Sequence, residues 1–383
     1  MDIWDYNLRH LAAIAQIAQL GTMGAAARAV NLTQPALTQA LARVEQQLGL
    51  VLFERRHDGM VPTPAADLLV PRIRAALDRS ISPHVTTARL RALLALADSG
   101  SYLGASLATG LAVPTLHRAV KDLSLSLRKT LVERRSNAVV LTEAGQALAR
   151  TFRLARVELE AGLAEIEALK GREIRRITVG AMPLSRARIL PGAVARFLKR
   201  HPLVRIAIAE GARAELVEPL RNGMIDMMIG ALRQPLLEPD LHQTALFEDE
   251  PIIIARADHP LAGTRPNLAT LAHYAWILPG HGAPLRDSWE TMYADAGIVA
   301  PPVPVESGSM MTIRQVLIKS DFLALASPDQ VAVELEANWL TSLGPVPATF
   351  HRVIGVTTRA SWRPTAVQAE FLADLAAIAD ERT

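Results

Sequence analysis

Residues 11–66 slide onto residues 90–145 without a gap, and 18 of the 56 positions are identical. An internal repeat constrains a chain strongly, because each copy must fold into the same small unit and neighbouring copies tend to share buried surface. The matches include Gly21/Gly100, Leu32/Leu111, Pro35/Pro114, Leu37/Leu116, Leu48/Leu127, Leu52/Leu131 and the run Glu54-Arg55-Arg56/Glu133-Arg134-Arg135. Alanine matches weigh little in a chain this rich in alanine; the proline, glycine and Glu-Arg-Arg matches weigh more. The offset of 79 residues places both copies in the first 145 of 383 residues.

In the first copy, Leu8, Leu11, Ile14 and Ala18 recur at helical spacing, and Gly21-Thr22 ends that helix. Gly24–Val30 predicts a short alanine-rich helix. Thr33 is the expected N-cap of a third helix, Gln34–Leu48, with Pro35 in the first turn, where a missing N–H costs nothing. Leu37, Leu41, Val44 and Leu48 make its buried stripe. Val51–Arg56, a turn at Asp58-Gly59 and Met60–Thr63 predict a two-stranded wing. Three helices and a wing make a winged helix-turn-helix, whose third helix lies in the major groove of DNA. The residue types suit that: Gln34, Thr38 and Gln39 can bond base edges, while Arg43, Arg55 and Arg56 can hold phosphates.

The run Ala27-Arg28-Ala29-Val30-Asn31-Leu32-Thr33-Gln34-Pro35-Ala36-Leu37-Thr38-Gln39-Ala40-Leu41, continuing to Arg55, resembles the DNA-binding signature of LysR-type transcriptional regulators. The resemblance implies a sequence-specific DNA-binding regulator under the control of a small-molecule effector. One departure stands out. The family's Leu-Thr-x-Ala-Gly opening of the helix after the wing is Pro62-Thr63-Pro64-Ala65-Ala66 in the first copy, whereas the second has Leu141-Thr142-Glu143-Ala144-Gly145. The second copy has a changed recognition segment, Val113-Pro114-Thr115-Leu116-His117, and is more basic, with Arg118, Lys121, Arg134 and Arg135 as its candidate DNA contacts. The alternative for this copy is a spacer that no longer touches DNA.

A proline-free helix is predicted from Glu143 to Lys170. Leu148, Phe152, Ala155, Leu159, Gly162, Ile166 and Leu169 step by alternating fours and threes, a heptad seam that Gly162 weakens. The resemblance assigns this helix to dimerisation, and the periodicity agrees; packing on its own domain is the alternative. Residues 64–81 would be its shorter counterpart, and 80–84 a connector.

Beyond Arg172 strands and helices alternate, from Ile174–Gly180 (strand) and Arg188–Arg200 (helix) to a last helix at Thr365–Ala379, which predicts α/β structure with mainly parallel sheets. Ile189-Leu190-Pro191, His201-Pro202, Gly223-x-Ile225-Asp226 and Asp258-His259-Pro260-Leu261 resemble the LysR-type effector domain, which implies two periplasmic-binding-protein-like lobes around a ligand cleft. Met182–Arg186 and Trp276–Glu290 resemble, more narrowly, the galactose-binding-protein-regulator subgroup. The expected fold is therefore a tandem winged helix-turn-helix plus a long linker helix, all α, joined to a two-lobed α/β domain. The expected divisions are 1–82, 83–142, 143–171 and 172–383, with one lobe at about 172–250 and 350–383 and the other at about 251–349.

In such folds ligands sit beyond the C-terminal ends of strands, near helix N-termini that favour anions. Three loops qualify, and they nominate Ser185, Arg186, Gly280, His281, Arg286, Ser307, Ser309 and Met310 as effector-binding residues. Arg186 or Arg286 could clamp a carboxylate, which favours a small organic acid; Trp276 and Trp289 would favour a sugar.

Residues 1–142 carry 16 Lys and Arg against 10 Asp and Glu, and the remainder 25 against 28, a basic front on a mildly acidic body. The expected partners are double-stranded DNA, a small-molecule effector and further copies of the chain, as a homodimer through 143–170 and a tetramer of such dimers; the resemblance also admits RNA polymerase. Cysteine is absent, which excludes disulfides, Cys-ligated metals and thiol nucleophiles and fits a cytoplasmic location. The N-terminal residues lack the apolar stretch of a secretion signal, and no apolar run is long enough to cross a membrane. Gly-x-Ser-x-Gly, Gly-x-Gly-x-x-Gly, the phosphate-binding Gly-x4-Gly-Lys and His-Glu-x-x-His are absent, and the ten histidines have no metal-ligand spacing. No catalytic residue, cofactor or metal is therefore expected. The rival reading is an enzyme acting on a small acid, with the helical region serving oligomerisation.

Overall fold

A computed structural model describes residues 3–78, 85–135, 138–171, 176–346, 350 and 352–381. The chain divides into two compact units, Met1–Arg175 and Arg176–Thr383. The connector expected at 80–84 lies outside the described residues.

In the first unit the repeat is written into the elements. The first copy is α1 (Leu8–Leu20), α2 (Met23–Ala29), α3 (Gln34–Leu48), β1 (Phe53–Arg56), β2 (Gly59–Pro62) and α4 (Pro64–Leu77). The second is α5 (Thr87–Ser99), α6 (Tyr102–Thr109), α7 (Val113–Leu127), β3 (Val132–Arg135), β4 (Ala138–Leu141) and α8 (Glu143–Leu169). Each hairpin is antiparallel, Phe53 facing Pro62 and Val132 facing Leu141. Thr63 and Thr142 cap α4 and α8 through their hydroxyls, accepting from Ala66 N and Gly145 N. The Leu-Thr-x-Ala-Gly glycine has a steric cause: a Cβ on Gly145 would lie 2.1 Å from the Leu131 carbonyl oxygen.

One apolar core runs through both copies, from Leu11, Ile14, Leu37 and Leu48 to Leu93, Leu116, Phe152 and Ile166. Its bridge is the packing of α4 on α8. Phe152, Ala155, Leu159, Gly162 and Ile166 of the heptad seam are buried, while Leu169 stays exposed. The seam expected to join two chains is thus filled by α4 of the same chain. A heptad pattern requires a covered face and does not say which chain covers it. Gly162 does not weaken this contact but permits it, since a Cβ there would sit 3.0 Å from Leu69 Cδ1 and from Arg72 Cβ. Arg72 reaches across to Glu158 at 3.1 Å and Glu165 at 2.7 Å, and all three side chains are buried. Burial works to lower the Arg72 pKa, but the bonds and charges of Glu165 and Glu158 outweigh it and hold the pKa above its ordinary value.

The second unit follows as β5 (Arg176–Ala181), α9 (Ile189–Arg200), β6 (Arg205–Glu210), α10 (Arg213–Arg221), β7 (Met227–Ala231), β8 (Leu241–Asp249), β9 (Ile252–Arg256), α11 (Leu268–Leu271), β10 (Trp276–Leu278), α12 (Pro284–Asp295), β11 (Val305–Glu306), α13 (Met310–Ile318), β12 (Leu323–Ala326), α14 (Pro328–Glu336), β13 (Leu340–Pro345), β14 (Arg352–Arg359) and α15 (Ala366–Asp380). Two five-stranded sheets result, ordered β6-β5-β7-β14-β8 and β11-β10-β12-β9-β13. Both are mixed, which corrects the expectation of mainly parallel sheets. β14 is antiparallel to β7 and β8, and β9 is antiparallel to β12 and β13. The chain enters the second sheet from β8 through β9 and returns through β14, so each sheet ends on strands laid against its parallel core. Strands β8 and β13 were not expected from the sequence.

Candidate DNA-contacting surface and effector cleft

Thr33 caps α3 as its position requires, its hydroxyl accepting from Ala36 N at 3.4 Å, and Pro35 occupies the first turn. Gln34, Gln39 and Arg43 are exposed along one end of this helix. Thr38 is half-buried, and its hydroxyl donates to the Gln34 carbonyl at 3.0 Å, so what it presents outward is an acceptor and a methyl group. A Cβ on Gly24 would lie 3.7 Å from both Gln34 Oε1 and Arg28 Nη1, which places exposed Arg28 beside Gln34. Sequence reading passed over Arg28 because it sits on α2 rather than on the recognition helix. Burial, and then the charges of Arg43 and Arg9, push the His10 pKa below its ordinary value. In the wing, Arg55 and Arg56 are exposed, and Arg56 meets Glu54 at 3.0 Å, a surface pair weak enough to exchange for a phosphate.

The second copy repeats this frame with other chemistry. Ala112 replaces the capping threonine and makes no cap bond. His117, at the Thr38 position, stacks on Tyr102 with ring centroids 3.6 Å apart. Leu103 and Leu107, at the Gly24 and Arg28 positions, are exposed. Arg118, Lys121, Arg134 and Arg135 are exposed too, with Arg135 on Glu133 at 2.7 Å as Arg56 is on Glu54.

In the second unit a cavity of about 130 Å³ opens between the two sheets at the C-terminal ends of β5, β7, β10 and β11. Met182, Pro183, Leu184, Ala231, Pro279, Leu285, Ile313 and Leu325 make most of its wall; Ser307, Gln330 and Arg352 are its polar side chains. Of the expected effector residues, Ser307 and Met310 line it. Ser309 is the N-cap of α13, its hydroxyl accepting from Thr312 N.

The other expected residues are turned elsewhere. Ser185 is fully buried and donates to the Met182 carbonyl. Arg186 meets Glu210 at 3.0 Å and bonds the Ala181 carbonyl. Arg286 is buried on Glu290 at 2.5 Å and lies over the Trp289 ring at 5.3 Å. Gly280 and exposed His281 lie by Glu306 and Glu290, whose carboxylates flank the imidazole at 3.7 and 3.3 Å. Trp276 and Trp289 are core residues in edge contact at 5.6 Å, so they offer no face to a sugar.

The residue missed is Arg352. Its Nε bonds the fully buried Asp249 at 2.6 Å, Ser327 bonds the other carboxylate oxygen, and the buried Arg352 Nη2 has no hydrogen-bond partner among the described residues. A neighbouring cavity of about 220 Å³, lined also by Arg233, Ser288 and Phe350, shares Arg352, Pro284 and Leu285 with the first. Nothing local marked Arg352 in the sequence, since Asp249 is 103 residues away. Among the described residues no acidic or histidine cluster could hold a metal ion, and no helix is long and apolar enough to cross a membrane.

The model of bacterial regulatory helix-turn-helix proteins of the lysR family matches twice, at residues 8–67 and 87–146, and the LysR substrate binding domain matches residues 170–378. The HTH-type transcriptional regulator GalR of Pseudomonas putida is 31% identical over 373 residues, 94% of this chain and 94% of that protein, so the match spans both copies. The SDS degradation transcriptional activation protein of a Pseudomonas species is 29% identical over 302 residues, 77% of this chain and 96% of that protein. Among solved structures, a full-length OxyR variant from Pseudomonas aeruginosa has a TM-score of 0.58 at 22% identity, over 78% of this chain and 95% of that one. CbnR, a LysR family regulator solved in complex with its target DNA, has a TM-score of 0.54 at 17% identity, over 76% of this chain and 98% of that one. The two structural likenesses carry the fold, and the matched family models with the 31% relative carry more: the chain belongs to the LysR family of DNA-binding transcriptional regulators, with a doubled helix-turn-helix and an effector-binding domain, and not to a family of enzymes.

Proposed function

We propose that the effector is a small organic acid with an apolar body, held in the cleft between the two sheets by Arg352. The carrying observation is that Arg352, whose buried Nη2 has no hydrogen-bond partner among the described residues, is the one charged side chain lining a cavity whose wall is otherwise mostly apolar. A sugar would need a partner for each hydroxyl, and Ser307 and Gln330 are too few. A carboxylate needs one cation and a place for its carbon skeleton. Asp249 orients the Arg352 fork through Nε and leaves its Nη end for the ligand. The test is calorimetry of the full chain against sugars, sugar acids and aromatic acids. Acids alone should bind, and Arg352→Lys should weaken them; binding of neutral sugars alone would overturn the ligand class.

In the same reading the first helix-turn-helix recognises bases through Gln34, Thr38 and Gln39 on α3, with Thr33 and Pro35 setting the helix start and Arg43, Arg55 and Arg56 on the backbone. The second grips phosphates through Arg118, Lys121, Arg134 and Arg135. Effector binding alters DNA affinity by whatever difference in affinity the ligand has for the chain's two states. Any pairing of whole chains into dimers or tetramers draws on surfaces other than the α8 seam, because α4 already occupies it.

A further inference from the structure

We infer that one chain, rather than a pair of chains, is the unit that grips two successive major-groove segments, and that its DNA site is a pair of unlike halves in fixed spacing. The elements of the two copies superimpose in sequence at the repeat offset: α3 and α7 both have 15 residues, and both hairpins and both following helices begin 79 positions apart. Two like modules held by a buried contact present two recognition helices at a constant separation, and on DNA such helices enter grooves a helical turn, about 34 Å, or a multiple of it apart. Here the contact is made inside the chain. Gly162 lets α4 and α8 approach closely, and the Arg72 guanidinium locks onto Glu158 and Glu165 with all three buried. Thr87 at the start of α5 also donates to the Tyr6 carbonyl at 2.8 Å, tying the second copy to the entry of the first.

The halves are unlike because the reading faces are unlike. Where α3 offers Gln34, Thr38 and Gln39, α7 offers Val113, His117 and Arg118, and the His117 ring is stacked on Tyr102. A twofold assembly of identical modules calls for a palindrome. This pair calls for one half read by amides and one half held mainly by its backbone. The unlikeness of the halves rests on the base-reading role proposed for α3; the count of two grips per chain does not.

The test uses the full chain on DNA fragments selected by binding to it. Mass measurement of the complex gives chains per fragment, and hydroxyl-radical footprinting gives protected segments. Two protected segments for every chain bound are expected, and one segment per chain would overturn the inference. The footprint of the Gln34→Ala/Thr38→Ala variant should lose sequence preference about tenfold or more in one segment of each pair only. If it loses none while the count stays at two per chain, the reading role of α3 fails and the single-chain grip stands. The seam has its own check. The chain has no cysteine, so Leu69→Cys with Gly162→Cys gives one possible disulfide, and the first change removes the Cδ1 that crowds position 162. Oxidation should give a cross-linked single chain. A cross-linked pair of chains would mean that α4 and α8 meet between chains, and would overturn the inference. If that variant fails to fold, the segment count on the unaltered chain decides.

Discussion

Arg286 and Arg352 each hold a carboxylate through Nε, and what else they face gives them different tasks. Arg286 bonds Glu290 and lies over the Trp289 ring, and although its buried Nη1 also lacks a hydrogen-bond partner among the described residues, it lines neither cavity, whereas Arg352 lines both. Arg286→Ala should therefore lower the stability of this unit by about 1–3 kcal/mol and leave acid affinity nearly unchanged. Arg352→Lys keeps a cation beside Asp249 but loses the fork, and should weaken acid binding tenfold or more. Calorimetry on both variants separates them; loss of acid binding in Arg286→Ala would restore the residue that the sequence nominated. His259 shows a motif residue with a structural task. Its Nδ1 accepts from Leu261 N at 3.1 Å, and its Nε2 faces the Asp321 carbonyl at 3.3 Å, an arrangement that needs the neutral ring. Burial first, and then Arg256, push its pKa down against the opposing pull of Asp321 and Asp258. A depressed histidine contributes stability that is full above the unfolded value of about 6.5 and is lost as pH falls from there through the folded value. Urea unfolding should show a drop from pH 7.5 to 5.5 that shrinks in His259→Asn. Equal drops in both proteins would clear His259 of the effect.

At the scale of elements, the proposed reading divides the work of DNA contact between α3 and α7. Replacing Gln34 and Thr38 by alanine should remove the base contacts proposed for them, worth about 1–3 kcal/mol each, and leave salt-sensitive binding behind. Neutralising Arg118, Lys121, Arg134 and Arg135 should instead flatten the slope of log affinity against log salt, by up to about 0.9 for each phosphate no longer neutralised. An unchanged slope and footprint would make the second copy a spacer. The ends of α3 were legible because Thr33, Pro35 and Gly49 punctuate the helix by local chemistry alone. Strands β8 and β13 were not legible, because both are edge strands whose outer sides are solvated and whose polar and apolar residues do not alternate cleanly. The cleft was legible as loops and not as side chains. Strand ends and helix starts follow from pattern, whereas whether Ser185 or Ser307 faces the cavity depends on contacts made across the fold.

At the scale of the first unit, the two copies stand or fall together, because among the described residues α4 and α8 each pack most extensively on the other. The buried Arg72 is where this is most exposed to test. Arg72→Ala would leave two carboxylates in a nearly dry seam, and breaking such a group typically costs about 3–5 kcal/mol, a large part of the 5–15 kcal/mol that holds an ordinary domain. Replacing all three partners, as in Arg72→Met with Glu158→Leu and Glu165→Leu, removes charge and counter-charge together and should recover most of that loss. Hydrogen exchange distinguishes a shared core from two separate ones. If one core spans both copies, Arg72→Ala should lower protection in α1 and α3 as well as in α5 and α7, by a similar factor on both sides of the seam. Loss confined to α4 and α8, with both helical triplets still protected, would mean that each copy folds by itself and that the seam merely fastens them.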